Sequence, residues 1–338
     1  MRNPKTLRTL VEAINRSGFG TVFVIDDDGV VRAAVTDGDV RRALLSGHGL
    51  ESPASAALNE DFVFLAEDDT ALSSEAWQTG SSRGLTELPV VDSLGRLIAV
   101  EKQKARLAPK TRTNAVALMA GGQGLRLRPL TEETPKPMLP VGGKPILEHI
   151  IDDLRHEGFI KIFLAVNYLA EKIEDHFGDG SRFGVQIEYI REDEPLGTAG
   201  PLSLIDSPGL SPMVVMNADL MVGVSFAAMV DYHVEKAAAI TVGAKVVETT
   251  SPFGVLSTTG AVVTSMAEKP KRVDLVNAGV YVISPEVVAS LPHGEPQDMP
   301  GLITAHVPSG NVVAFPIHEM WADLGRVEDL RRVQDEWG

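Results

Sequence analysis

Residues Met119 to Pro145, MAGGQGLRLRPLTEETPKPMLPVGGKP, decide how the rest of the chain is understood. An apolar run, Ala115 to Leu118, leads into them and the amphipathic segment Ile146 to His156 follows. The order is strand, glycine-rich loop, basic residues, helix. In an α/β sheet, ligands bind at loops leaving the carboxyl ends of strands. Gly121, Gly122 and Gly124 let the backbone approach a nucleotide closely, and their amides can form an anion-binding nest. Arg126, Arg128 and Lys136 add three cations, while Pro135, Pro137 and Pro140 stiffen the path. Together they describe a polyphosphate site. A dinucleotide fingerprint would need a third glycine where Leu127 stands, and a P-loop is excluded because Gly143-Lys144 is followed by Pro145.

The totals bound the alternatives. A chain of 338 residues with 44% hydrophobic residues has room for two packed domains. A net charge of -15 argues against general nucleic-acid binding, so any phosphate site must be a local basic pocket. The absence of cysteine excludes disulfides, thiolate zinc sites and a cysteine nucleophile. MRNPKTLRTL has no apolar core of signal-peptide length, and no later run reaches membrane-spanning length. A cytoplasmic enzyme, working without membrane or nucleic acid and assembled as a homo-oligomer, is the expectation.

Outward on the amino-terminal side there is an internal repeat. VIDDDGVVRA, residues 24 to 33, matches VVDSLGRLIA, residues 90 to 99, each copy being strand, Asp/Gly turn, strand. Leu7, Leu10, Val11 and Ile14 form one helical stripe, and Val40, Ala43, Leu44 and Leu45 another. The repeat resembles a tandem pair of cystathionine-β-synthase (CBS) domains, which often bind adenine nucleotides. That resemblance implies that Thr36 faces a phosphate and Asp39 a ribose, whereas the second copy lacks both. Equally, Thr36 and Asp39 could simply cap the following helix. Glu101 to Asn114 is charged, contains Pro109 and has no apolar period. The expected division is therefore a CBS-like domain over 1–107, a linker over 108–114 and a larger domain over 115–338.

On the carboxyl side, β-rich runs alternate with helical patterns from Ala115 to Ala237, which predicts a mostly parallel sheet covered by helices. Phe253 to Ser257 and Val262 to Met266 then suggest a hairpin. Four segments each follow an apolar strand. REDEPLGTAGPL (191–202) holds Glu192, Gly197 and Thr198, where Gly197 allows close approach and Thr198 can start a helix whose amino end favours an anion. VVMNADL (214–220) ends a strand in Asp219, a natural Mg2+ ligand or else a turn residue. A second carboxylate, Asp323, lies in WADLG (321–325). AEKP (267–270) and VNAGVY (276–281) complete the set.

GGQGLRLRPLTEETPKPMLPVGGKP resembles the signature of the sugar-phosphate nucleotidyltransferases, with Leu125 where the family often has Thr or Ser. The resemblance implies a Rossmann-like (GT-A-like) α/β domain that joins a sugar 1-phosphate to a nucleoside triphosphate with release of pyrophosphate. It also implies roles for particular residues. Arg126, Lys136, Asp219 and Lys269 would be catalytic, and Asp219 and Asp323 would bind Mg2+. Ala120, Gly121, Gly122, Gly124, Glu192, Gly197 and Thr198 would contact the nucleotide. Glu268, Lys269, Asn277 and Gly279 would contact the sugar phosphate. EDEPLGTAGPL is similar to mannose-1-phosphate guanylyltransferases in particular, and an acceptor-only carboxylate at Glu192 suits the adjacent N1-H and N2 amino donors of guanine. The alternatives are an enzyme using dTTP or UTP, and a catalytically silent nucleotide-sensing subunit.

Overall fold

The computed structural model describes residues 1–17, 20–67, 76–80, 85, 87–102, 111–192, 194–206, 209 and 211–337. The chain divides into two compact units, Met1–Arg106 with Val246–Val276, and Leu107–Lys245 with Asn277–Gly338. No helix among the described residues is long and apolar enough to cross a membrane.

In the first unit, Leu7, Leu10, Val11 and Ile14 bury one face of the helix Leu7–Ser17. That face shares a core with Val22 and Val24 of strand β1 (Thr21–Ile25), Ala33 and Val35 of β2 (Val31–Thr36), and Val40 and Leu44 of the helix Asp37–Leu45. β1 and β2 are antiparallel. Further along, the short β3 (Leu65–Ala66) runs parallel to β4 (Glu87–Val91), which forms a second hairpin with β5 (Leu97–Lys102).

The sequence repeat is also a structural one, because the same side chain builds both turns. Asp26 Oδ1 accepts from the Asp28 and Val30 amides at 3.1 and 2.9 Å, and Oδ2 accepts from Arg32 at 2.8 Å. Asp92 takes the Leu94 and Arg96 amides at 2.9 Å and the Arg96 side chain at 2.7 Å. These are Asx-type turns, in which a short carboxylate substitutes for backbone acceptors. The turns then bond to each other: Val31 N–H donates to Gly95 O at 3.0 Å, and Leu97 N–H to Gly29 O at 2.9 Å.

In the second unit, alternate residues of each central strand enter two different cores. Val116 and Leu118 of β6 (Val116–Met119) face one core and Ala117 the other. After the short pair β7 (Pro140–Val141) and β8 (Lys144–Pro145), β9 (Lys161–Val166) repeats the alternation with Ile162 and Leu164 against Phe163 and Ala165. A sheet covered on both faces requires this period-two burial without polar interruption. The helix Ile146–His156 covers the first face with Ile146, Leu147, Ile150, Ile151 and Leu154, each worth roughly 1.5–3 kcal/mol when fully buried.

The remaining strands are β10 (Gln186–Arg191), β11 (Met213–Asn217), β12 (Leu220–Val222) and β13 (Ile240–Thr250), followed by the hairpin β14 (Val255–Thr259) and β15 (Val262–Ala267). Then come β16 (Lys271–Ile283), β17 (Val312–Ile317) and β18 (Trp321–Asp323). The described residues form a sheet in the order β10-β9-β6-β11-β16-β13-β17. β10, β9, β6 and β11 are parallel neighbours, β16 is antiparallel to β11, and β13 is parallel to β17. The expected mostly parallel α/β sheet is present.

Two expectations about boundaries are corrected. Residues 246–276 do not group with the larger unit, because Val246 is buried in the core of the first unit and Val273 packs against it. Of the expected linker, residues 108–110 lie outside the described residues, while 111–114 are tied to the second unit. Arg112 N–H donates to Gly158 O at 2.8 Å, its guanidinium meets Asp231 at 3.0 Å, and Asn114 Nδ2 donates to Pro212 O at 2.7 Å.

Candidate active site

The four parallel neighbours end side by side at their carboxyl edges, and backbone bonds continue their register past the last strand residue. Ala120 N–H donates to Ala165 O at 2.8 Å, Ala218 N–H to Met119 O at 3.0 Å and Glu192 N–H to Val166 O at 3.3 Å. Four loops are thereby brought together around a cleft of about 720 Å3. Ala120, Gly121, Gly122, Gly124, Arg126, Lys136, Glu192, Gly197, Thr198, Asp219 and Asp323 all line it.

Two glycines on this rim have a steric reason. A Cβ on Gly121 would lie 2.9 Å from Glu192 Oε1, and one on Gly124, whose φ is +61°, would lie 2.9 Å from Thr131 Cγ2. Thr131 is fully buried and donates to Gly124 O at 2.8 Å, which fixes the loop from beneath. Arg126, one turn further on, is exposed.

Lys136 sits at the centre of the electrostatics. Only 10% of its side chain is exposed, and its ammonium lies 2.5 Å from Asp219 Oδ2 and 3.8 Å from Asp323 Oδ1. The two carboxylates meet because β12 and β18 pair antiparallel with Leu220 opposite Asp323, and Leu324 N–H donates to Asp219 O at 3.2 Å. Asp323 also accepts the Gly325 amide at 2.9 Å. A cation already stands where two carboxylates converge, so the donor set fits a divalent ion of the Mg2+ type, which takes one or two carboxylates and completes its shell with water and phosphate.

Glu192 sits beside the glycine loop. Oε2 accepts the Leu196 amide at 2.8 Å, and among the described residues Oε1 has no hydrogen-bond donor. Burial raises its carboxyl above the usual range, opposed by that amide. Gly197 has φ +80° and passes so close to Gln297 that a Cβ would sit 2.5 Å from its carbonyl oxygen.

Thr198 differs from expectation. Its hydroxyl accepts the Met299 amide at 2.8 Å, and the following turn, Gly200–Leu204, is a 3-10 helix preceded by Ala199 without a side-chain cap. Thr198 therefore ties down the helix Met299–His306 rather than opening an anion-binding one. Asn277 and Gly279 are not among the cleft-lining residues: Asn277 Oδ1 accepts the Gly279 amide at 3.0 Å, and Gly279, with φ +74°, backs onto Asn217. Glu268 and Lys269 are exposed and belong to the first unit. Thr36 and Asp39, also there, form a capping box, with Thr36 N–H donating to Asp39 Oδ2 at 2.7 Å and Asp39 N–H to Thr36 Oγ1 at 3.2 Å.

Sequence reasoning missed Asn167 and Asn217. Both line the cleft, and Asn167 Nδ2 donates to Glu192 O at 2.8 Å. Asn167 directly follows β9 and Asn217 closes β11, so asking which polar residue ends each parallel strand would have found them.

Comparison with known proteins places this cleft in a family. The pattern of the family described as nucleotidyl transferase matches residues 115–337. The chain is 36% identical over 236 residues to a UTP–glucose-1-phosphate uridylyltransferase of Synechocystis sp., covering 63% of this chain and 60% of that protein. It is 33% identical over 224 residues to a mannose-1-phosphate guanylyltransferase of Mycobacterium tuberculosis, covering 64% and 62%. The chain thus spans about three fifths of the length of these relatives. The crystal structure of HddC from Yersinia pseudotuberculosis complexed with GMP-PN has the same fold, with a TM-score of 0.51 and 24% identity, over 67% of this chain and all of that one.

Proposed function

We propose that this chain, which belongs to the nucleotidyl transferase family, joins a sugar 1-phosphate to a nucleoside triphosphate, GTP by preference, and releases pyrophosphate. The observation that carries this is the convergence in one cleft of a glycine-rich loop, Lys136, Asp219 and Asp323, from segments far apart in the chain.

The nucleophile is a phosphate oxygen of the sugar 1-phosphate, which attacks the α-phosphorus in line with the departing pyrophosphate. With a second pKa near ~6, a phosphate monoester is already mostly dianionic at neutral pH, so no general base is required. The protein's work is positioning and charge neutralisation. The amides of Gly121, Gly122 and Gly124 receive the phosphates, that of Ala120 being held by Ala165 O, and Arg126 and Lys136 stabilise the triphosphate and the leaving group. Asp219 and Asp323 would hold Mg2+, which neutralises charge on the α-phosphate. Lys269, Glu268, Asn277 and Gly279 are proposed to meet the sugar phosphate.

For the base, Glu192 supplies an acceptor-only carboxylate whose Oε1 has no donor among the described residues, which suits the paired donors of guanine. The mannose-1-phosphate guanylyltransferase relative supports this and suggests mannose 1-phosphate as the partner. The uridylyltransferase relative, at 36% identity, supports a second reading, UTP with glucose 1-phosphate. For the first unit, the paired hairpins support a CBS-like module, and Thr36 and Asp39 are its proposed contacts for an adenine nucleotide.

The test is pyrophosphate release from a grid of GTP, UTP and dTTP against mannose and glucose 1-phosphates, with Mg2+ and the purified chain. Release with GTP and mannose 1-phosphate is expected. Release with UTP alone would select the second reading, and no release from any pair would overturn both.

A further inference from the structure

Lys136 and Arg126 come from the same loop, and their situations are opposite. Arg126 is exposed and, among the described residues, has no ion-pair partner. Lys136 is 8% exposed and its ammonium is committed to Asp219 and Asp323. The proposed reaction gives that ammonium and a divalent cation different work, yet in the free chain the ammonium occupies the carboxylates that the metal would use.

We propose that Lys136 and a divalent cation are alternative occupants of the Asp219–Asp323 pair, so that the free chain takes up metal weakly and binds it well only with a triphosphate. The inference rests on the function proposed above. At 2.5 Å from Asp219 Oδ2 the ammonium fills the contact an ion would make, and two cations sharing that oxygen repel. Moving the ammonium into the cleft without a new partner would strand a charge in a partly dry site, which is costly. A triphosphate beside Arg126 supplies the missing partner. The lysine is built for such an exchange. Pro135 and Pro137 hold its backbone in a short 3-10 turn, so the displacement falls on the flexible four-carbon side chain.

The experiment titrates Mn2+ into the full chain and follows loss of the free Mn2+ signal by electron paramagnetic resonance. In the wild type, α,β-methylene GTP should raise Mn2+ uptake by about tenfold or more above the sum of what the chain and the analogue bind separately, because it draws the ammonium away. Lys136→Met should show a gain of that order without nucleotide and a smaller further gain from the analogue than the wild type shows, while Lys136→Arg, which keeps the cation, should resemble the wild type. Adding Asp219→Asn to Lys136→Met should abolish the gain, which locates the ion.

A Lys136→Met variant with wild-type circular dichroism and no gain would overturn the exchange, as would a gain that survives Asp219→Asn. If Lys136→Met does not fold, a wild type whose Mn2+ uptake with the analogue is only the sum of what chain and analogue bind separately overturns it independently. Pyrophosphate release by a wild type that fails these binding tests would sink the exchange alone. Exchange observed in a chain that transfers nothing would sink the function alone.

Discussion

Asp39 in the first unit and Asp219 in the second are both candidate ligand carboxylates, and they differ in what already occupies them. Asp39 is engaged within one helical turn: the Thr36 amide and hydroxyl reach it at 2.7 and 2.6 Å, and Arg42 pairs with it. This accounts fully for its presence, since a helix start needs such partners for its unpaired amides. Asp219 is bound to a lysine 83 residues away, beside an Asp323 side chain that is 55% exposed. Asp323 serves a local turn through the Gly325 amide, but no turn or cap calls for Asp219 beside a buried ammonium so far away in the chain. A carboxylate explained by its sequence neighbours has a structural job, whereas one explained only by distant charges is the better candidate for chemistry.

The strongest way to break this contrast is at the cleft. Asp219→Asn and Asp323→Asn should each lower kcat/KM for pyrophosphate release by on the order of a hundredfold or more, with little change in melting temperature. Near-normal turnover in both at saturating Mg2+ would put Asp219 in the same class as Asp39.

A smaller effect is expected at Glu192. Glu192→Gln should weaken GTP use by about 1–3 kcal/mol of transition-state stabilisation and spare UTP and dTTP. Equal loss with all three nucleotides would refute base reading by this side chain. Burial raises the Glu192 carboxyl, so its acceptor form is lost on mild acidification. The acid limb of GTP use should therefore lie above the ordinary carboxylate range and vanish in the variant. The stability sign is opposite to that of an ion-paired carboxylate. With the folded-state value raised, stability is lost as pH rises from the ordinary carboxylate value through the raised one. Removing the charge should thus raise the melting temperature at neutral pH.

The smallest effect sharpens the other side of the comparison. Thr36→Ala and Asp39→Ala should each destabilise the chain by about 0.5–2 kcal/mol in chemical denaturation, the usual worth of a helix cap, and leave turnover of GTP and sugar 1-phosphate without added adenine nucleotide unchanged. Calorimetry of the full chain with AMP and ADP, which are not triphosphate substrates for the cleft, adds the decisive arm. Heat that both variants abolish would give these residues a ligand as well as a cap, whereas no heat in the wild type would leave the cap alone.

The sequence by itself determined whatever depends on near neighbours. Apolar residues at alternate positions place β6 and β9 between two cores, helical spacing buries one face of Leu7–Ser17 and Ile146–His156, and paired Asp/Gly turns reappear as matched hairpins. The glycine loop was legible for the same reason, since close approach and left-handed backbone are demands on single residues. Only the tertiary structure decided that Lys136 stands between Asp219 and Asp323, that Glu192 borders Gly121, that Thr198 serves a helix a hundred residues on, and that residues 246–276 join the first unit. Those placements follow from strand order and pairing, in which residues far apart in the chain become neighbours through the sheet. A hydrophobic pattern fixes which face of a strand is buried, but it carries no information about which strand lies beside it.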